Sequence, residues 1–97
     1  MDRIPNIHPG KILKEEFLEP LNISAYKLSK DTGIPQIRLS QIIKGSRSIT
    51  VNTALKLSKY FGNSPEFWLG LQMAYDIEEE DLKIHSELES IHALVVA

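Results

Sequence analysis

Gln36, Ile37, Arg38, Ser40 and Gln41 fall close together, and Lys44 follows one helical turn after Ser40. Their shared chemistry is recognition of base edges in duplex DNA. A Gln amide can bridge adenine N6 and N7, and an Arg guanidinium can fork onto guanine. A Ser hydroxyl can donate or accept, and an apolar side chain can meet a thymine methyl. At about 3.6 residues per turn, Leu39, Ile42 and Ile43 share one apolar face. Gln36, Ile37, Ser40, Gln41 and Lys44 then take the opposite face, with Arg38 at its edge. A single exposed Ile is ordinary on a protein surface, but Ile37 among Gln and Arg side chains also fits a face that meets DNA or protein.

Ser24, Lys27, Lys44, Ser46, Arg47 and Thr50 surround this set in the sequence. Hydroxyls, cations and helix N-termini hold phosphates, which orient a protein on the duplex without reading its sequence. Ser24 and Thr50 equally suit helix capping, and the two roles are compatible.

The elements that must carry these residues are helical. Pro9 opens a first helix with Ile12, Leu13 and Phe17 inward, and Pro20 ends it. Ser24 caps a second, whose inward positions Ala25, Leu28, Ser29 and Thr32 precede a stop at Gly33. Pro35 opens the third, which Gly45 closes. A Gly between two short helices is the helix-turn-helix layout. Thr50 caps a fourth helix, with Val51, Ala54, Leu55, Ser58 and Phe61 expected inward and Gly62 as stop. Ser64 and Pro65 start a fifth, with the stripe Phe67, Trp68, Leu71, Ala74 and Tyr75. Beyond it, Ile84, Leu88, Ile91 and Val95 favour a helix over 82–92, although Ala93-Leu94-Val95-Val96 suits a short extended segment equally. The chain therefore reads as all-α.

Ninety-seven residues make one small domain, and 42% hydrophobic with 25% charged residues is an ordinary globular composition. The absence of Cys excludes disulfides, thiol catalysis and thiolate metal sites, and suits a cytoplasmic protein. No apolar run is long enough for a membrane span, so no membrane partner is expected. The net charge of −2 conceals two unlike parts. Residues 1–62 carry ten basic and five acidic side chains, a balance of +5, whereas residues 63–97 carry one and eight, a balance of −7. That division separates a part suited to a polyanion from an acidic part with another task. The run Glu78-Glu79-Glu80-Asp81 is either a solvated face or a dock for a basic partner.

No nucleophile, base and orienting group come together in the sequence, and no phosphate loop is present, so no enzyme and no cofactor are expected. His85 and His92 are too far apart along a helix to share a metal, and no metal site is expected. Phe67, Trp68, Leu71 and Tyr75 have the spacing of a core or dimer contact more than that of a ligand pocket.

Several stretches resemble the HigA-type antitoxins, also called the VapI group, of the Xre and phage-repressor helix-turn-helix class. They are His8-Pro9-Gly10, Leu13–Leu18, Ser24–Gly33, Leu39–Gly45, Arg47–Thr50, Thr53–Gly62 and Ser64–Gln72. The string Phe61-Gly62-x-Ser64-Pro65-x-Phe67-Trp68 is the most specific of them. The resemblance covers about residues 8–76 and implies a five-helix repressor-like domain there; residues 1–7 read as an N-terminal arm, and residues 77–97 form a short C-terminal extension whose acidity departs from the family pattern. It implies a homodimer that binds double-stranded operator DNA, represses its own operon and neutralises a basic, RelE-like mRNA-cleaving toxin. The family's DNA-reading positions fall on Gln36, Ile37, Arg38 and Gln41. The class also includes regulators without a toxin, and a third possibility is an interaction module that no longer binds DNA.

Overall fold

His8, Ser24, Thr50 and Ser64 each accept a backbone N–H at a helix start, so capping chemistry sets where four helices begin. In the computed structural model, which describes residues 4–95, these starts open α1 (Pro9–Ile12), α2 (Ala25–Thr32), α4 (Val51–Phe61) and α5 (Pro65–Lys83). The third helix, α3 (Gln36–Lys44), follows Pro35, and a short α6 (His85–Glu89) comes last. No strand forms among the described residues. The expected all-α, repressor-like architecture is therefore the one the chain adopts.

α1 runs directly into a π-helical segment, Leu13–Leu18. There the Glu19 N–H reaches back to the Lys14 carbonyl at 2.9 Å. Leu13 and Leu18 would stand about 140° apart on a regular α-helix. The wider turn brings both into the core, where they are 0% and 5% exposed.

The turn between α2 and α3 is tied by hydroxyls. Gly33 adopts left-handed backbone at φ +77°, which a side chain would disfavour. Ser29 Oγ donates to the Ile34 carbonyl at 2.6 Å, and Thr32 Oγ1 donates to the Leu28 carbonyl at 2.6 Å. Thr32 Oγ1 also accepts the Ile34 N–H at 3.2 Å. Ile34 is thereby pressed into the core with Leu28, Leu39, Ile42 and Leu57. These bonds fix the angle at which α3 leaves α2.

Trp68 is fully buried and anchors α5 to the bundle. Its ring centroid lies 4.9 Å from that of Phe17, 5.0 Å from Phe67 and 6.1 Å from Phe61. Its indole N–H donates to Asn63 Oδ1 at 2.9 Å, so the polar end is satisfied.

Several sequence expectations are corrected. Val51 and Leu55 were expected inward on α4 but are 60% and 53% exposed. Thr53, Ala54, Leu57 and Ser58 are the buried set. α4 is turned so that Ala54 and Leu57 enter the core, and the Thr53 hydroxyl buried beside them is met by Arg38 and Thr50. Ala74 is exposed and Phe67 lies at the rim of the aromatic cluster. The helix expected over 82–92 forms only in part. α5 continues to Lys83, crossing the boundary expected after residue 76, and α6 covers only His85–Glu89. In that stripe Ile84 is half-buried and Leu88, Ile91 and Val95 are exposed. The extended alternative at Ala93–Val96 falls partly outside the described residues; Ala93, Leu94 and Val95 have no regular structure. The expected loose arm lies outside the description for residues 1–3, but Asn6 is tied down. Its Nδ2 donates to the Tyr75 carbonyl at 2.9 Å and to Glu79 Oε2 at 3.2 Å.

Candidate nucleic-acid interface

α3 presents its two faces as its spacing requires. Leu39 and Ile42 are fully buried and Ile43 is half-buried. On the opposite side Gln36 and Lys44 are exposed and Ser40 and Gln41 half-exposed. Ile37 is 67% exposed, so it contributes nothing to the core and stands within the polar face.

Two of the expected base-edge residues are held from outside α3. Arg38 Nη1 donates to Asn52 Oδ1 at 3.0 Å and to Thr53 Oγ1 at 3.4 Å, which clasps α3 to the start of α4. Gln41 Oε1 accepts from Arg47 Nη1 at 3.0 Å. The flanking residues are placed as follows. Ser24 Oγ accepts the Lys27 N–H at 3.0 Å, and Thr50 Oγ1 accepts the Thr53 N–H at 3.4 Å, so both act as helix caps. Ser46 and Arg47 are exposed on the loop between α3 and α4.

Lys27 is not a lone cation. Its Nζ lies 3.0 Å from Asp31 Oδ2, and the Tyr60 hydroxyl donates to the same oxygen at 2.7 Å. The Tyr60 hydrogen bond, then that of Lys27, holds the Asp31 carboxyl below its usual range. The Asp31 carboxylate in turn raises the pKa of both Lys27 and Tyr60. This surface triad links α2 to α4.

The α3–α4 loop is secured from beneath by two residues that sequence reading overlooked. Gln72 of α5 is buried and its Oε1 accepts the Ile49 N–H at 2.8 Å, while its Nε2 donates to Asp76 Oδ1 at 2.9 Å. His8 stands edge-on to Tyr75 at 4.9 Å and accepts the Gly10 N–H on Nδ1 at 2.9 Å. Burial pushes the His8 pKa down, and Asp76 and the Arg47 backbone pull the other way. Asn52 and Thr53 were overlooked too. These partners lie 14 to 23 residues apart, beyond any helical repeat. The Ser and Thr pattern of the caps was the available local signal, and it marked Thr50 but not Thr53.

The expected dimer or core set divides. Trp68 is buried, Leu71 and Tyr75 are partly buried, and Phe67 is at the rim. A separate apolar groove is formed by Val51, Leu69, Met73 and Ile77, with Gln72 and Asp76 at its edge. Among the described residues no three His, Asp or Glu side chains gather as a metal site. His85 does pair with Glu89 at 3.4 Å, a neighbour on the next turn. No helix among the described residues is long and apolar enough to cross a membrane.

The comparisons with known proteins concern the family and the fold. The helix-turn-helix family model matches residues 14–68. Virulence-associated protein I of Dichelobacter nodosus is 43% identical over 77 residues, which is 79% of this chain and 71% of that protein. An addiction module antidote protein of the HigA family from Coxiella burnetii superimposes with a TM-score of 0.87 at 44% identity, covering 95% of this chain and 100% of that one. The Pseudomonas aeruginosa antitoxin HigA, solved with the higBA promoter, gives a TM-score of 0.89 at 29% identity, covering 94% and 100%. The family is one of helix-turn-helix regulators and antitoxins rather than enzymes. By sequence and by fold, the chain belongs to the helix-turn-helix family, in its HigA antitoxin branch.

Proposed function

We propose that the protein is an antitoxin and autorepressor that binds the operator of its own operon as a homodimer and neutralises a basic, RelE-like mRNA-cleaving toxin. The observation that carries the DNA reading is the outward face of α3, where Ile37 is 67% exposed between Gln36, Ser40 and Gln41. A polar face with one apolar side chain, on a helix whose other face is rigidly buried, matches the edge pattern of a major groove. A HigA relative solved with its promoter supports DNA as the ligand.

In this proposal Gln36, Ile37, Ser40 and Gln41 meet base edges, and Arg38 works at the α3–α4 seam. Ser24, Lys27, Lys44, Ser46, Arg47 and Thr50 hold phosphates around them. Lys27 would exchange Asp31 for a phosphate oxygen at the surface. One short helix reads few base pairs, so a two-fold partner is needed to place a second helix about 34 Å away on the next major groove. The groove of Val51, Leu69, Met73 and Ile77 is the seam we favour, because Val51 opens α4 directly after the phosphate-holding loop. The acidic residues of α5 beyond Asp76 then face away from the DNA and offer a dock for a basic toxin.

Fluorescence anisotropy with the DNA upstream of the gene tests the first part. Affinity should fall steeply with salt, with a log–log slope of about −0.9 for each phosphate neutralised. Absent or salt-independent binding refutes it. Capture of the adjacent gene product should weaken when Glu79, Glu80 and Asp81 are all made amides. Unchanged capture places the toxin elsewhere.

A further inference from the structure

Gln41 is gripped at two points by the loop that follows its helix. Gly45 turns the chain back in left-handed backbone at φ +84°. The Ser46 N–H and hydroxyl then both donate to the Gln41 backbone carbonyl, at 2.9 and 3.2 Å. Arg47 Nη1 donates to the side-chain Oε1 at 3.0 Å. A guanidinium has N–H donors and no acceptor. The amide atom facing Arg47 must therefore be the oxygen, and the Nε2 end carries the two hydrogens available to a ligand. Among the described residues Nε2 has no protein acceptor.

We propose that Arg47 biases the base preference of Gln41 from adenine toward guanine, by holding Oε1 at the loop and leaving Nε2 to meet the base. This rests on the proposal that α3 enters the major groove. A Gln with both ends available reads adenine by accepting from N6 and donating to N7. Arg47 occupies one of the two Oε1 lone pairs and draws that oxygen toward the loop, so adenine is met mainly through N7, with its N6 hydrogens nearer the amide hydrogens. Guanine presents two acceptors, O6 and N7, to the two N–H groups of Nε2. Thymine presents one acceptor, and cytosine presents a donor. Guanine is therefore the best match. The Arg47–Gln41 bond is exposed to water in the free protein, and burial against DNA strengthens it by removing that competition. Arg47 is a positioning residue here, and its other N–H groups can serve an adjacent phosphate.

The test is selection from a randomised duplex pool with the wild-type chain, Gln41→Ala and Arg47→Met, each first shown to be folded by circular dichroism. Gln41→Ala should lose preference at one position of each half-site, which identifies the base that Gln41 reads. The wild type should favour guanine over adenine there by about 5-fold or more, the discrimination expected of one matched side chain. Arg47→Met, which keeps the stem but no donor, should turn that position toward adenine. Adenine preferred by the wild type, or Arg47→Met lowering affinity evenly with base preference unchanged, overturns the inference while α3 remains a groove reader. So does Gln41→Ala changing no position. A wild-type chain with no sequence preference anywhere overturns the groove reading itself, and this inference with it.

Discussion

Gly10 and Ile42 meet backbone to backbone where α1 crosses the end of α3. A Cβ on Gly10 would overlap both the carbonyl oxygen and the carbonyl carbon of Ile42. The atoms in the way belong to the main chain of α3, so no side chain can swing aside. Gly10 thus sets how closely the helix bearing Gln36, Ile37 and Gln41 lies on the body of the protein.

Gly10→Ala should accordingly destabilise the fold by about 1–3 kcal/mol, the usual cost of inserting a carbon into a packed core, and it should displace α3. Gly70→Ala is the matched control. Gly70 lies within α5 with nothing within 4 Å of an added Cβ, so the change should raise stability by about 0.5–1 kcal/mol through helix propensity. Thermal unfolding of the two variants checks the pair, and equal effects would contradict the close α1–α3 crossing.

Trp68→Ala should cost about 3–5 kcal/mol, because the ring is fully buried and its removal leaves a cavity. In a domain whose total stability is about 5–15 kcal/mol, that change removes a large share of the margin. Trp68→Phe should cost less, since it preserves ring packing against Phe17 and loses mainly the bond to Asn63. Denaturant titration orders the two variants. A Trp68→Ala chain with unchanged stability would place the ring at a surface contact.

Gln72→Leu fills much of the same space with an apolar side chain but orphans the buried Ile49 N–H. A buried donor left without a partner costs about 1–3 kcal/mol. The loss should be local, so amide hydrogen exchange across residues 46–50 should quicken more than in α2. Uniform quickening along the chain would show that Gln72 supports the fold generally.

His8 confers a pH dependence of definite sign. Only the neutral ring can accept the Gly10 N–H on Nδ1. Burial lowers its pKa from the ordinary 6.5, so the folded chain binds this proton less tightly than the unfolded chain does. Its contribution is fully present above 6.5 and is lost as pH falls through the lower folded value. Urea midpoints should therefore decline in the wild type between about pH 7 and about pH 5, the range in which His titrates. His8→Asn retains a capping acceptor without titrating and should show a flatter profile there. Parallel profiles would remove His8 as the cause.

Local chemistry in the sequence determined most of the fold. Ser24, Thr50 and Ser64 mark helix starts, Gly33, Gly45 and Gly62 mark helix ends, and the spacing of Leu39 and Ile42 orients α3. These signals act within a few residues, so they are written in neighbouring side chains. The proposed base-edge face was legible for the same reason. Tertiary structure decided what depends on partners distant in the chain. It joined Arg38 to Asn52, Gln72 to Ile49 and His8 to Tyr75, and it brought Gly10 against Ile42. It also turned α4 so that Ala54 and Leu57, with Thr53 beside them, face inward rather than Val51 and Leu55, because the face of a helix that is buried is set by the distant elements packed on it. The tail shows the converse. Its apolar spacing promised a helix through residue 92, but α6 ends at Glu89 with no buried residue, because amphipathic spacing stabilises a helix only where another surface covers its apolar stripe.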